Sequence, residues 1–206
     1  MSDASARLPL PLPDAVPQFG QNRWRRACAW LLARNGWRLS APLPNLPKVV
    51  VIAAPHSSWW DGIWGLLFKV ALGIDVSFMA KRELFRGPLG WLLRSLGGIP
   101  IERSAAHGLV EQVTQRFVCS DRFWIGITPE GTRKHVARWK TGFWHIAHAA
   151  NVPILPIAFD YPSRTIVIGT PLMTSDSAEA DVLALRSFYR PYRGRHRGIG
   201  DDSGTD

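Results

Sequence analysis

The apolar run Val49–Ala54 and the proline after it constrain the fold of this chain more than any other stretch. A short run rich in β-branched side chains is typical of a strand that is covered on both faces of a sheet. Pro55 ends the strand, and Ser57 or Ser58 can cap a helix that begins there. A buried strand that passes directly into a helix predicts an α/β fold, with a mixed, mostly parallel central sheet flanked by helices.

His56 follows this strand, and Asp61 follows His56 by five residues. Ligands of open α/β sheets bind at the carboxyl ends of the strands, which is where His56 is predicted to lie. Asp61 would lie one helical turn further on, close enough to orient the imidazole. A neutral histidine held in one tautomer by a carboxylate is a general base, able to take a proton from a substrate hydroxyl. The alternative is a chance spacing in which Asp61 is a helix-capping residue.

The charge of the chain indicates an anionic partner. Its 206 residues, which fit one domain, include 25 Lys and Arg against 16 Asp and Glu, a net charge of +9. Nucleic acid, an anionic membrane surface and a phosphorylated substrate all attract such a charge. The ten tryptophans favour the second and third, because Trp is enriched where proteins meet the membrane interface.

The cysteines and the hydropathy pattern bear on the compartment. Cys28 and Cys119 form neither a disulfide framework nor a zinc pattern, so a reducing compartment is expected. The start of the chain does not have the pattern of a signal peptide. The longest apolar candidate, residues 57–74, contains Asp61 and Lys69 and is a poor membrane span. We expect a protein that lies on a membrane rather than across it.

The chain divides into four segments. Residues 1–22 are predicted to be a flexible, proline-rich lead, and residues 23–40 an amphipathic helix. Residues 41–189 would form the main domain, and residues 190–206 a disordered basic tail. On the N-terminal helix, one side carries Trp24, Cys28, Leu31 and Leu32, and the other Arg23, Arg26, Arg34, Arg38, Trp30 and Trp37. Such a helix can bind an anionic interface, or it can dock on the core with a solvated basic face.

The main domain contains further elements with recognisable patterns. Strands are predicted at residues 75–80, 99–101, 122–127, 151–159 and 165–168. Helices are predicted at residues 62–72, 88–96, 105–119, 143–150 and 176–189. The prolines of residues 151–159 favour an edge strand or a bent one.

Two later stretches carry candidate binding residues. Arg103 follows a Gly-rich turn and a short strand, and could hold a phosphate, although an isolated arginine is more often a surface residue. The turn Pro129–Arg133 follows a buried strand; its glycine allows a tight bend, Glu130 could bind hydroxyls and Arg133 a phosphate. Lys140 offers a second basic anchor. His145 and His148 lack a third metal ligand and are interpreted as a plain helix face.

Four blocks of the chain together resemble a known family, the glycerolipid acyltransferases of the lysophosphatidate (1-acylglycerol-3-phosphate) acyltransferase type. The blocks are His56…Asp61, Gly97–Arg103, Pro129–Arg133 and Val152–Ile157. Lys81–Phe85 and Lys140–Gly142 also fit the family pattern. The resemblance covers about residues 48–170, with the blocks in the family's order and spacing.

The resemblance implies an enzyme in which His56 deprotonates an acceptor hydroxyl and Asp61 orients His56. The hydroxyl would attack the thioester of acyl-CoA or of an acyl carrier protein, without a cofactor, a metal ion or a covalent acyl-enzyme. The substrate-binding residues would be Arg103, Glu130, Gly131, Thr132, Arg133 and Lys140, with the arginines on the acceptor's phosphate. The enzyme would be cytoplasmic and peripheral, on the anionic inner face of the cell membrane.

The acceptor and two other functions stay open at this point. Ile127 and Thr128 stand where the family usually has an aromatic residue, so an ornithine lipid or a pigment precursor could replace the lysophospholipid. A basic nucleic-acid-binding module would explain the charge, but neither the His–Asp pair nor the Pro129–Arg133 turn. A non-catalytic lipid-binding protein would bind vesicles without consuming a thioester.

Overall fold

A computed structural model of the protein describes residues 11–20, 23–101, 106–134 and 136–199. Within these ranges, a seven-stranded sheet is flanked by six α-helices, which confirms the predicted α/β class with a mixed, mostly parallel sheet. The strand at Arg38–Leu39 was not predicted. The strands are β1 Arg38–Leu39, β2 Lys48–Ala54, β3 Val76–Lys81, β4 Gly98–Ile101, β5 Phe123–Ile127, β6 Ile154–Asp160 and β7 Thr165–Ile168. The helices are α1 Trp24–Arg34, α2 Trp59–Leu72, α3 Gly87–Ser95, α4 Ala106–Cys119, α5 Gly142–Ala150 and α6 Ala178–Tyr189, with a 3₁₀ helix at Arg82–Phe85.

The sheet has the strand order β1-β7-β6-β2-β5-β3-β4. Neighbouring strands are parallel except β6 and β7, which are antiparallel. The strand that carries the apolar run, β2, lies in the centre of the sheet. Its side chains point alternately to two cores: Val50 and Ile52 belong to one, Val49 and Val51 to the other. Burial on both faces is the reason that every residue of this run is apolar.

Helices cover both faces of the sheet. On one face, α4, α5 and α6 contribute Phe117, Phe143 and Leu185 to the core. On the other face, α1 and α2 contribute Leu32 and Phe68. The carboxyl end of β2 opens between these layers, so the residues that follow β2 are held on all sides by packed elements.

β6 is an interior strand, so of the two predictions for it, an edge strand or a bent one, the edge strand is wrong. It contains Pro156, which cannot donate a hydrogen bond to the neighbouring strand. The hydroxyl of Tyr189, from α6, lies at this point between β6 and β2. It accepts a hydrogen bond from the Ile157 N–H at 3.1 Å and donates one to the Ile52 carbonyl at 2.7 Å. A side chain from outside the sheet therefore replaces part of the ladder beside the proline.

The described part of the predicted lead, residues 11–20, packs against the domain rather than extending freely. Val16 is fully buried. The Phe19 N–H donates to the Gly73 carbonyl at 3.2 Å, and the Asp75 N–H donates to the Pro17 carbonyl at 2.8 Å. The prolines exclude helix here but leave an extended segment that can dock on a neighbouring loop. Residues 1–10 and the pair 21–22 lie outside the described residues.

The N-terminal helix is shorter than the predicted segment 23–40. It ends at Arg34, Gly36 takes a left-handed conformation with φ of 74°, and Arg38–Leu39 pairs with β7. Trp37, predicted on the basic side of the helix, is instead buried against Trp64 and Tyr161. Trp24, predicted on the side with Cys28, Leu31 and Leu32, is instead 58% exposed.

The predicted tail is ordered between residues 190 and 199. Tyr192–Ile199 forms a turn that we call the C-terminal strap. In it the Gly194 N–H donates to the Arg197 carbonyl at 2.9 Å, and Arg193 pairs with Gly198. Ile199 is buried in the core. The charge of this segment suggested a solvated tail, but its backbone hydrogen bonds and the buried Ile199 hold it against the domain. Residues 200–206 lie outside the described residues.

Candidate active site

The structure brings the predicted pair, His56 and Asp61, into contact. α2 begins with Ser58 as its N-cap, and Asp61 is the third helical residue of a capping box. This places the Asp61 carboxylate back over the loop after β2, where Oδ2 lies 3.3 Å from His56 Nδ1. The two interpretations of Asp61, as a helix cap and as a partner of the imidazole, both hold for the same carboxylate.

Asp61 is buried and accepts hydrogen bonds from three elements. Its Oδ2 accepts the N–H groups of Ser57 and Ser58, both at 2.8 Å. Its Oδ1 accepts the hydroxyl of Tyr161, which directly follows β6, at 2.6 Å. The carboxylate is thereby fixed in one position and cannot rotate away from His56.

These contacts set the protonation states of the pair. Burial alone raises the pKa of Asp61, but hydrogen bonds from His56, Tyr161 and the Ser58 N–H, together with attraction to His56, bring the pKa below its ordinary value. Burial, followed by the hydrogen bond to Asp61, raises the pKa of Tyr161, so this phenol stays protonated. An ionised Asp61 keeps the imidazole proton on Nδ1 and leaves Nε2 of His56 able to accept a proton.

Glu130 lies behind His56. Its side chain is 1% exposed, and each of its oxygens lies 3.3 Å from the backbone nitrogen of His56. Arg197 of the C-terminal strap donates to Oε2 at 2.9 Å. Burial raises the pKa of Glu130, an effect that Arg197 and the His56 N–H only partly offset. This position does not support the expected contact between Glu130 and an acceptor hydroxyl.

A cavity of about 350 Å³ opens beside His56 and contains two of the predicted binding residues. Its lining includes Thr132, Arg133 and Lys134 from the Pro129–Arg133 turn and the residue after it, and His196 from the strap. The Arg133 guanidinium lies 4.0 Å from the centre of the Trp59 ring. This cation–π contact holds a positive charge next to the start of α2.

Gly131 and Lys140 shape the turn beneath this cavity. Gly131 has a φ of 63°, a conformation that glycine adopts without strain. A Cβ at this position would also lie 3.1 Å from the Cδ and Cε atoms of Lys140. The Lys140 N–H donates to the Pro129 carbonyl at 2.9 Å. The structure therefore places Lys140 against the turn, as the spacing suggests, whereas Arg103 lies outside the described residues.

A second, more apolar cavity of about 510 Å³ lies between α1 and α2. It is lined by Leu31, Asn35, Trp37, Trp60, Ile63, Trp64, Leu67, Tyr161, Arg164 and Arg195. Trp60 and Trp64 stack with their ring centres 5.8 Å apart, and Arg195 lies over Trp60. Tyr161 lines this cavity and its hydroxyl also contacts Asp61, so one side chain connects the cavity wall with the His–Asp pair.

The two helical histidines pack as ordinary helix residues. His148 stacks on Trp144 with ring centres 4.6 Å apart, and its Nδ1 lies 3.2 Å from the Thr174 hydroxyl. The described residues contain no group of three or more His, Cys, Asp and Glu side chains placed to hold a metal ion.

Sequence reasoning missed Tyr161, His196 and Arg197. A signal existed for Tyr161. It directly follows β6, a strand that is parallel to β2 and ends at the same edge of the sheet, where His56 lies. For the two strap residues no local signal distinguished them from the other basic residues of the expected tail.

Comparisons with known proteins show the family to which the chain is similar. The family described as "Acyltransferase" matches residues 41–160. The 1-acyl-sn-glycerol-3-phosphate acyltransferase of Escherichia coli is 38% identical over 85 residues, 40% of this chain and 34% of the relative. The human 1-acyl-sn-glycerol-3-phosphate acyltransferase alpha is 34% identical over 121 residues, 55% of this chain and 41% of the relative. This chain thus spans less than half the length of either curated relative.

A solved structure has the same fold. The 1-acyl-sn-glycerophosphate (LPA) acyltransferase PlsC of Thermotoga maritima aligns with a TM-score of 0.52 and 21% identity. The alignment covers 70% of this chain and 64% of that one.

Proposed function

The chain belongs to the Acyltransferase family, and we propose that it transfers a fatty acyl group from an acyl thioester to the hydroxyl of a lysophospholipid such as lysophosphatidate. The observation that carries the proposal is the 3.3 Å contact between His56 Nδ1 and the buried Asp61, next to a cavity that is lined by Ser57 and Arg133. The donor would be acyl-CoA or an acyl carrier protein, and no cofactor is required.

In the proposed mechanism, Nε2 of His56 takes the proton of the acceptor hydroxyl as its oxygen attacks the thioester carbonyl carbon. This attack forms the C–O bond and a tetrahedral intermediate, which then collapses to the ester as the C–S bond breaks and the thiolate departs. His56 then returns the proton to the departing thiolate. A thioester is already activated, so one base and well-positioned reactants are sufficient.

The backbone N–H groups around His56 are already engaged and do not offer an oxyanion site. The N–H groups of Ser57 and Ser58 donate to Asp61. The His56 N–H donates to Glu130. A donor for the developing negative charge would have to come from the remaining walls of the cavity.

The two cavities suggest where the substrates bind. Arg133 and Lys134 give the smaller cavity the charge that a phosphate monoester requires, next to the base. The apolar cavity lined by Trp60, Ile63 and Trp64 offers room for a fatty acyl chain. In this arrangement Thr132 and Lys140 would support the phosphate end, and Glu130 would support His56 from behind.

A peripheral position on the inner face of the cell membrane is part of the proposal. Trp24 and Trp30 of α1 are 58% and 64% exposed, and Trp91 of α3 is also exposed. Exposed tryptophans on a protein of net charge +9 favour an anionic interface. Among the described residues, no helix has the length and apolar character that crossing a bilayer demands.

The proposal is tested by thioester consumption. Purified protein is mixed with acyl-CoAs of several chain lengths, or with an acyl carrier protein donor, and with a panel of acceptors that includes lysophosphatidate and an ornithine lipid. Free thiol and lipid products are measured for the wild type, His56→Ala and the control His148→Ala. Thiol release and an acylated product that vanish only in His56→Ala support the proposal and name the acceptor. Release that persists in His56→Ala would contradict the mechanism, and absence of release with every donor would contradict the activity.

A further inference from the structure

The C-terminal strap touches each of the loops from which the candidate site is built. We propose that this strap is a working part of the active site, and that its Arg197 is a positioning residue that holds Glu130 against the backbone of His56. The inference rests on the proposed acyl transfer and adds to it a segment with no place among the four sequence blocks.

The strap begins beside Tyr161. The Arg193 N–H donates to Asp160 Oδ1 at 3.1 Å, and the Arg193 carbonyl accepts the Tyr161 N–H at 2.9 Å. Tyr161 is the residue whose hydroxyl binds Asp61. The first anchor of the strap is therefore the end of β6, next to the partner of Asp61.

The strap then crosses the loop that carries His56. A Cβ at Gly194 would lie 2.7 Å from the Ser57 hydroxyl oxygen and 3.3 Å from Pro55 Cβ, so a side chain here would displace the strap. The His196 N–H donates to the same Ser57 hydroxyl at 3.2 Å. The residues on either side of His56 are thus covered by the strap.

Arg197 joins this loop to the Pro129–Arg133 turn. Its Nη2 lies 2.9 Å from Glu130 Oε2 and 2.9 Å from the Lys134 carbonyl oxygen. Both Glu130 oxygens lie 3.3 Å from the His56 nitrogen. A chain of contacts therefore runs from the guanidinium through the carboxylate to the backbone of the general base.

The burial of this pair favours positioning over stability as its role. The side chains of Arg197 and Glu130 are 16% and 1% exposed. Burying two charges costs most of what their attraction provides, so such a pair adds little net stability. Breaking it is costly, because the remaining carboxylate would be buried without a cation. A pair of this kind specifies one arrangement of the groups around it, which here include His56.

The test compares Arg197→Met and Arg197→Lys with a control, Arg190→Met, at an exposed arginine just before the strap. We expect Arg197→Met to lower kcat about 10- to 100-fold, since a base displaced by a fraction of an ångström reacts more slowly. The KM for the acyl donor should change less than about twofold. Arg197→Lys should recover most of kcat, and Arg190→Met should match the wild type.

A pH profile separates positioning from a structural contribution. The titratable and charged groups that act on Glu130 are Arg197 from the strap, His56 from the loop after β2 and Tyr189 from α6. Burial raises the pKa of Glu130 and Arg197 opposes that rise, so removing Arg197 moves the pKa upward. The acid limb of the kcat profile should shift to higher pH in Arg197→Met, and not in Arg197→Met combined with Glu130→Gln. An unchanged profile with only a lower melting temperature would overturn the proposal.

A second readout does not depend on activity. The amide proton shift of His56 in an NMR spectrum reports the hydrogen bond to Glu130; it should change in Arg197→Met and stay constant in Arg190→Met. If Arg197→Met fails to fold, Gly194→Ala, which pushes the strap away from Ser57, replaces it. Suppose that the wild type consumes no thioester but the His56 amide shift still changes in Arg197→Met. That result would reject the proposed function and support the positioning role of the strap. Suppose instead that the enzyme is active, and that its kcat, pH profile and His56 shift are the same in Arg197→Met and Gly194→Ala as in the wild type. That result would support the proposed function and overturn the role of the strap.

Discussion

Tyr161 donates its hydroxyl hydrogen to Asp61 Oδ1 at 2.6 Å, although 100 residues separate them in the chain. Tyr161 follows β6 and the Asp61 helix follows β2, two neighbouring parallel strands. The parallel pairing places both ends at one edge of the sheet. The carboxylate that contacts His56 is therefore held from the helix on one side and from the adjacent strand on the other.

We expect Tyr161→Phe to lower kcat about tenfold. The substitution removes one hydrogen bond to the charged Asp61, and such a bond contributes about 1.5–3 kcal/mol. Without it, Asp61 is held less firmly against His56. Steady-state kinetics of thiol release would measure it. The control is Arg190→Met at an exposed position outside the strap, and a kcat of Tyr161→Phe equal to that of the control would show that the Tyr161 hydroxyl has no part in the reaction.

Asp61 should make stability depend on pH in the acid range. Its folded pKa is lowered, so its contribution to the free energy of unfolding is complete above the ordinary carboxyl pKa and is lost as the pH falls through the lowered value. The stability difference between the wild type and Asp61→Asn should therefore be constant near neutral pH and shrink as the pH falls below about 5, roughly one unit above the ordinary carboxyl pKa. Urea unfolding at several pH values would measure this difference, with the exposed Asp176→Asn as control. A difference that stays constant or grows toward acid would contradict the assignment.

Arg133→Ala should act mainly on a phosphorylated acceptor. The guanidinium lines the cavity next to His56 and is held there by Trp59. We expect the apparent KM for lysophosphatidate to rise about tenfold or more, as for the loss of one charge-assisted contact, with a small change for an acceptor without phosphate. Arg190→Ala provides the control. Equal effects on both kinds of acceptor would exclude Arg133 as the phosphate ligand.

Tyr189→Phe should destabilise the fold without altering its shape. The hydroxyl bridges the Ile157 N–H and the Ile52 carbonyl in the interior of the sheet, so its removal leaves two buried backbone groups unpaired. At about 1–3 kcal/mol for each group, we expect a loss of about 2–6 kcal/mol in the free energy of unfolding. Urea denaturation compares it with Tyr192→Phe. A loss below that of the control would mean that water or strand movement replaces the bridge.

Replacing Trp24 and Trp30 by serine should weaken membrane binding. Deleting residues 1–40 would be a poor test, because it would remove the buried Val16, Leu32 and Trp37 from the core. The double substitution removes only exposed surface on α1. We expect less protein to sediment with anionic vesicles and no change in melting temperature. The control is Leu183→Ser, which is exposed on α6 across the sheet, and equal sedimentation of the two variants would contradict the anchor.

Local sequence was sufficient for the centre of the fold and of the candidate site. The run Val49–Ile52 has one stable environment, a strand buried on both faces, and β2 occupies it. Pro55, Ser58 and Asp61 then act within one helical turn, where capping chemistry brings the carboxylate back to His56. These relations involve neighbours in the chain, so residue types and spacing determine them.

Only the tertiary structure decided what surrounds that centre. Beside Pro156, the link between β6 and β2 is made by Tyr189, 33 positions later, whose hydroxyl bridges the Ile157 N–H and the Ile52 carbonyl. Glu130 faces Arg197 rather than the cavity, because the strap returns across the site after α6. In both cases the partner lies far away in sequence, and its approach depends on the order of the strands and on the path of the chain between them. Composition and periodicity contain neither quantity, since each describes a segment in isolation.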